Sequence, residues 1–262
     1  MAATARPARQ GAGRRLAGLL GRLDTDLTMS SVLQRIDGAA RRRPVVISFL
    51  NQHGANMAAR DPEFADALQR ADLLLRDGIG AKMGCWAIGV PAGANLNGTD
   101  LIPALLERRK GARVMLCGTA EPWLGLAADR LARQGQLIVA TMTGFDAEPA
   151  YLAAIERIRP DIVVLAMGMP KQERLADRLH DRLSFGCVIV NGGAVLDFLA
   201  ERHPRAPTAL RALGLEWLFR LAREPRRLFR RYVIGIPVFL THVAAARRYR
   251  LSSADGERGM AS

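Results

Sequence analysis

Asp77 ends the short aliphatic stretch Asp72–Leu75 with Arg76 and opens the turn Asp77-Gly78-Ile79-Gly80. A carboxylate placed there could take the proton from an attacking hydroxyl. An Asp-Gly turn residue bonded to its own backbone accounts for the same spacing. Asn51 follows the run Val45–Leu50 in the same way, within Asn51-Gln52-His53-Gly54. Three more apolar runs are followed by Gly118-Thr119-Ala120-Glu121-Pro122, by Gly168-Met169-Pro170-Lys171-Gln172-Glu173 and by Gly192-Gly193. Glycines in such loops let the backbone approach a ligand, and the helix N-termini behind them offer free N–H groups to phosphate. A nucleotide or nucleotide-sugar site is the natural reading. Lys171 adds a cation where anions bind, at the end of a helix that disfavours positive charge; Glu173 is equally explained by a solvated first turn. Asn97-Gly98-Thr99-Asp100 precedes a helical pattern and contains helix-capping residues that a ligand could also use.

Other chemistries lack their residues. His53, His180, His203 and His242 have no ligand spacing to one another or to carboxylates. Asp24-Thr25-Asp26 resembles an Asp-x-Asp metal clamp but precedes the first strand, where capping a helix from Leu27 onward explains it better. There is no P-loop lysine motif and no Gly-x-Gly-x-x-Gly after the first strand, which disfavours nucleotide hydrolysis and dinucleotide redox. No metal and no cofactor are expected. Cys85, Cys117 and Cys187 sit among apolar residues and read as buried thiols of a reducing compartment.

The elements that must position these residues follow from periodicity. Strands are predicted at Val45–Leu50, Asp72–Leu75, Arg113–Cys117, Gln136–Thr141, Asp161–Met167 and Cys187–Asn191. Helices are predicted at Ala55–Arg70, Gly80–Ile88, Asp100–Arg109, Glu121–Arg133, Glu148–Arg159 and Pro170–Leu183. This alternation specifies an α/β fold, a Rossmann-like parallel sheet flanked by helices, with ligands outside the carboxyl ends of the strands. Beyond Asn191 only helical patterns follow: Ala194–Ala200, Pro207–Arg223 and Pro225–Arg248, the last interrupted by Gly235 and Pro237.

Charge divides the 262 residues in the same places. The net charge of +13 resolves into +6 over residues 1–43, −1 over 44–200, +9 over 201–250 and −1 over 251–262. A neutral body with basic ends, and only 5% aromatic residues, argues against a nucleic-acid face and for a localised anionic partner. The expected organisation is a flexible basic leader at 1–28, a catalytic domain at 29–204, a helical appendage at 205–250 and a disordered tail at 251–262. The apolar run Tyr232–Ala246 is short for the roughly 20 residues of a membrane span, and suits a helix lying in an interface.

The ordered set of Asn51, Ala71-Asp72 through Asp77-Gly78-Ile79-Gly80, Asn97-Gly98-Thr99-Asp100-Leu101, Gly168-Met169-Pro170-Lys171-Gln172-Glu173, Gly214-Leu215-Glu216-Trp217-Leu218, Glu224-Pro225-Arg226-Arg227 and Arg231-Tyr232 closely resembles the WecG/TagA/CpsF glycosyltransferases. The resemblance covers about residues 30–248. It implies inverting, metal-free transfer from a UDP-sugar to a saccharide on a polyprenyl diphosphate, in surface-glycan or exopolysaccharide synthesis. It also implies an arginine-rich appendage that meets the anionic inner face of the plasma membrane and helps close the site, in a cytoplasmic, peripherally attached enzyme. Asp77 matches the family's proposed base, Asn51 and Gln172 its pocket-lining residues, and the loops at Gly168 and Gly192 its UDP site. Gly78, Asn97 to Asp100, Gly118, Pro170, Lys171, Glu173 and Gly193 complete the expected substrate contacts. Arg220, Arg223, Arg227, Arg230 and Arg231 are expected to share one helical face toward acceptor diphosphate or membrane, with Leu218, Leu221, Leu228 and Val233 nearer another. The chain departs from the family pattern at Phe49, where a Thr is common, and at Asn95, where an Arg is common.

Two further classes compete with the enzyme. A nucleic-acid-binding protein would use the basic ends and bind with steep salt dependence. A catalytically silent membrane scaffold would keep the fold without UDP affinity. Apolar surface on the C-terminal helices would meet membrane or another copy of the chain in a homo-oligomer.

Overall fold

The computed structural model describes residues 5–40 and 42–260. Six strands form one wholly parallel sheet: β1 (Pro44–Leu50), β2 (Leu73–Arg76), β3 (Arg113–Gly118), β4 (Leu137–Met142), β5 (Ile162–Ala166) and β6 (Cys187–Asn191). Their order across the sheet is β2-β1-β6-β5-β3-β4. The inner strands are buried nearly throughout and rich in Val, Ile and Leu because helices cover both faces. Alternate residues go to opposite layers. Val45, Ile47 and Phe49 face α2 (Met29–Ala39), α6 (Gly98–Arg108), α7 (Trp123–Arg133) and α10 (Val195–Leu199). On the other face, Val46 packs with α8 (Glu148–Ile158) and α9 (Lys171–Arg182). Leu50 and Leu74 pack there with α1 (Ala5–Arg22), α3 (Gln52–Ala58), α4 (Pro62–Arg70) and α5 (Gly78–Ile88).

Residues 5–28 depart from the expected flexible leader, and residues 1–4 lie outside the described residues. Within α1, Leu16, Leu19 and Leu20 are fully buried, in one cluster with Phe239, Val243 and Ala246 of α14 (Gly235–Met260). The two helices approach so closely that a Cβ on Gly13 would stand 2.7 Å from the Ala245 carbonyl oxygen. The leader's arginines also have structural work. Arg15 donates to the last carbonyls of α3, Ala58 and Ala59, at 3.2 and 2.6 Å, and Arg22 donates to Ala71 O at 2.7 Å. Asp24 is neither metal clamp nor helix cap. Its Oδ2 accepts from Leu74 N at 2.9 Å and its N–H donates to Leu74 O at 3.0 Å, covering the open edge of β2. The cap of α2 is Thr28, in a reciprocal capping box with Ser31.

Three helical segments differ from expectation. Ala55–Arg70 is two helices, because Asp61 caps a new start with Pro62 in its first turn. Pro207–Arg223 divides into α11 (Thr208–Ala212) and α12 (Glu216–Arg223) at Gly214, whose φ is +72°. Gly235 and Pro237 do not interrupt the last stretch. α13 (Pro225–Phe229) runs through a π-helical turn at Arg230–Ile234 into α14, which carries Pro237 in its first turn, where proline is tolerated. Helix continues to Met260, where a disordered tail was expected; Ala261 and Ser262 lie outside the described residues. Pro225–Ser253 is long and apolar enough to cross a membrane by length and composition, although part of it is buried against the body.

Candidate active site

The crevice lies at the carboxyl ends of β2, β1, β6 and β5. Asp77 occupies the N-cap position of α5, yet its side chain makes no capping bond, which removes the turn-residue reading. Its Oδ2 accepts from Asn51 Nδ2 at 3.1 Å, and Asn51 Oδ1 accepts from Gly54 N at 2.9 Å. Asn51 thus caps α3 and holds the carboxylate together. Gly78 has a φ of +86°, and its N–H donates to Asn95 Oδ1 at 2.7 Å, so the Asn at this position pins the turn directly.

Beneath this turn is a residue that sequence reading passed over. Arg76 is buried and donates to Ala92 O (2.8 Å), Gly78 O (3.0 Å) and Gly93 O (3.0 Å). Three carbonyls hold its guanidinium while Asp77 lies within its electrostatic reach. The available signal was an arginine closing an otherwise all-leucine strand.

From the other side comes the appendage. Arg231 in the π turn is within reach of the charges of Asp77, Arg220 and Arg227, and its enclosed Nε has no partner. His53 is pushed down to about 4, by burial first and by Arg231 second, so it is neutral at ordinary pH. The appendage is anchored over α3 by Asn56, whose Nδ2 donates to Gly235 O at 2.7 Å and whose Oδ1 lies 3.1 Å from His242 Nδ1.

The glycine loops meet in the next part of the crevice. Gln172 Oε1 accepts from both Gly168 N and Gly193 N, each at 3.1 Å. Gln172 and Glu173 are each only 1% exposed, so Glu173 does not project from a solvated first turn and cannot reach a substrate in this conformation. Gly168 and Gly193 have φ of +81° and +56°, and a Cβ on either would meet no atom, leaving open space above them. Gly118 and Gly192 are packing glycines. Their Cβ atoms would strike Ala166 O at 2.3 Å and Val195 Cγ1 at 2.5 Å. Gly54 adjoins Met169, which links the Asn51 end of the crevice to the Gly168 end.

Several other expected contacts are engaged elsewhere. Lys171 Nζ donates to Gly144 O and Asp146 O, both at 2.9 Å, and lies 5.1 Å from the Tyr151 ring centre, so its charge is spent on the β4–α8 loop. Pro170 sits at the start of α9 as expected. Asn97 caps α6 by accepting from Asp100 N at 3.0 Å, and Asp100 is paired with Arg205 at 2.9 Å, tying the body to the appendage. Gly98 lies against the Phe49 ring, which makes Phe49 a core residue, and Thr99 is half-buried. The five arginines do not share one helix face, because the chain breaks at Glu224 between α12 and α13. Arg220 stacks on Phe198 (5.3 Å) and Arg223 on Phe219 (5.4 Å), Arg227 pairs with Glu224 (2.6 Å), Arg230 is exposed, and Arg231 lies over the Tyr232 ring (5.6 Å) within electrostatic reach of Asp77.

All three cysteines are buried, and burial raises Cys117 and Cys187 to about 12, which leaves them unreactive. A separate cleft of about 450 Å³, lined by Met115, Met142 and Ile158 among others, lies at the β4 edge, across the sheet from Asp77.

Comparison with known proteins gives a consistent result. The pattern of the Glycosyl transferase WecG/TagA/CpsF family matches residues 19–253. Three curated relatives are each named N-acetylglucosaminyldiphosphoundecaprenol N-acetyl-beta-D-mannosaminyltransferase. The protein of Bacillus spizizenii is 31% identical over 196 residues, 73% of this chain and 75% of its own. That of Bacillus subtilis is 27% identical over 199 residues, 74% and 77% of the two chains. That of Staphylococcus aureus is 26% identical over 204 residues, 76% and 79%.

Proposed function

The chain belongs to the WecG/TagA/CpsF family of glycosyltransferases, and from that membership we propose that it moves a hexose-type sugar from a UDP-sugar to a saccharide on a polyprenyl diphosphate. The product would enter a cell-surface polymer or exopolysaccharide. The observation that carries this reading is the uncapped carboxylate of Asp77, held by Asn51 and within electrostatic reach of Arg231 from the appendage.

Direct displacement fits the geometry. Asp77 removes the proton of the acceptor hydroxyl, whose oxygen attacks the anomeric carbon; that carbon's bond to the UDP oxygen breaks, and its configuration inverts. The diphosphate leaves with negative charge. Arg231 is suited to stabilise it, and the open space above Gly168 and Gly193 leaves room for it. The reading is metal-independent: among the described residues no cluster of three His, Cys, Asp or Glu is placed to hold a metal ion, and Asp77 has Asn51, Arg76 and Arg231 as neighbours.

The appendage supports peripheral attachment to the inner leaflet. Leu218, Phe229, Val233, Ile234 and Leu240 expose large apolar side chains, with Arg226 and Arg230 exposed among them. Such helices bind by apolar insertion together with attraction to anionic lipid, worth about 1 kcal/mol per basic residue near the surface.

The deciding experiment offers a panel of UDP-sugars with a polyprenyl-diphosphate acceptor. UDP-N-acetylmannosamine comes first, because the three relatives are named for that sugar. Release of UDP with transfer to lipid is the expected result. No transfer and no UDP affinity would leave the scaffold reading in its place.

A further inference from the structure

Glu173 was expected to touch substrate, and its position in the fold rules that out. It lies at the start of α9, 1% exposed, with one side-chain partner: Gln172 Nε2 donates to Glu173 Oε1 at 2.8 Å, and Glu173 Oε2 has no partner. A carboxyl is costly to bury with an oxygen left unpaired. The benefit lies one residue away. The two ends of the Gln172 side chain are nearly identical in shape but opposite in hydrogen bonding. Two backbone N–H groups, from Gly168 after β5 and Gly193 after β6, converge on one end of it. That end must be the carbonyl oxygen, since an NH₂ there would face two donors.

We propose that Glu173 is a positioning residue: by accepting from Gln172 Nε2 it fixes the Gln172 amide with its oxygen toward Gly168 and Gly193, and so clamps two crevice loops in register. The clamp rests on the reading that these loops hold the UDP portion of the donor. Burial also raises Glu173 to about 7, which increases its neutral form, and the carbonyl oxygen of that form still accepts from Gln172. Because the charge is dispensable, a glutamine can replace this glutamate while a side chain without an acceptor cannot.

The test uses the full chain with three substitutions: Glu173→Met, which keeps bulk without an acceptor, Glu173→Gln, and Gln172→Met. Amide hydrogen exchange at Gly168 and Gly193 reads the clamp, and UDP titration calorimetry reads its consequence. Glu173→Met and Gln172→Met should each speed exchange at both glycines at least tenfold and weaken UDP binding about tenfold. The double variant should be no weaker than either single, because both remove the same clamp. Glu173→Gln should recover UDP affinity to within about threefold of the wild type. Additive losses in the double variant, unchanged exchange in Glu173→Met, or a Glu173→Gln variant as weak as Glu173→Met would each overturn the proposal. If Glu173→Met does not fold, Glu173→Asp, which withdraws the acceptor by one methylene, must show the same faster pair of amides. Faster exchange with undiminished UDP binding would leave the clamp standing and overturn the donor-loop reading.

Discussion

Asn51 Nδ2 and Asp77 Oδ2 stand 3.1 Å apart across the ends of adjacent parallel strands, β1 and β2. Because Asn51 Oδ1 is committed to Gly54 N, the amide cannot turn over without losing a helix cap. One carboxylate oxygen is thereby occupied, and the other is left for an acceptor hydroxyl. Asp77→Asn should lower kcat by about 10²- to 10⁴-fold with UDP affinity retained, the usual range for removing a general base. Transfer at the wild-type rate would remove Asp77 from the mechanism.

Asn51→Ala frees the carboxylate and uncaps α3. The expected result is a kcat loss smaller than that of Asp77→Asn, with a stability loss of about 1 kcal/mol from the lost cap. Kinetics and chemical denaturation on the same preparation separate the two effects.

Glu173 makes folding pH-dependent in an identifiable direction. Its folded value of about 7 lies above the ordinary glutamate value of 4.5, so the native state holds a proton that the unfolded state has released between those values. Stability from this group is present below pH 4.5 and is lost as pH rises toward 7. His53, lowered from 6.5 to about 4, acts with opposite sign: its contribution is present above pH 6.5 and is lost as pH falls toward 4. The two slopes oppose each other in the wild type. The stability difference between Glu173→Gln and the wild type isolates the first, and should grow by about 3 kcal/mol in favour of the variant from pH 4 to pH 8. A difference independent of pH would refute the buried-carboxyl account.

Arg231→Ala should reduce kcat, and should also raise the titration midpoint of His53 from about 4 while leaving it below 6.5, because burial is the larger cause and persists. Histidine NMR titration reads this without any substrate. A His53 midpoint unaffected by the substitution would separate Arg231 from the crevice.

Phe229→Glu and Ile234→Glu replace exposed apolar groups and should release the protein from anionic vesicles without lowering its melting temperature. Deleting the whole appendage is a poor alternative, since it would uncover Leu16, Leu19 and Leu20 of α1.

The sheet was legible in the sequence because its strands are unbroken aliphatic runs between helical periods, and loops at strand ends identify a crevice on topology alone. Asp77 and Asn51 were legible for the same reason. Arg76 was not, since nothing local distinguishes a guanidinium that holds three carbonyls from an edge-strand surface charge. Glu173 and Lys171 read as crevice-facing because a helix's first turn fixes position but not which way a side chain goes. The order of residues 5–22 was hidden most deeply. That segment looks unstable by composition and acquires its helix from a partner at the far end of the chain.

The pairing of α1 with α14 bears on how the protein is made. The leucine stripe of α1 leaves the ribosome well before Phe239, Val243 and Ala246 of α14, which complete its cover. A newly made chain therefore carries a greasy, half-covered helix until α14 has been made. Truncated products lacking the final helix should be the ones that aggregate or are cleared by proteases.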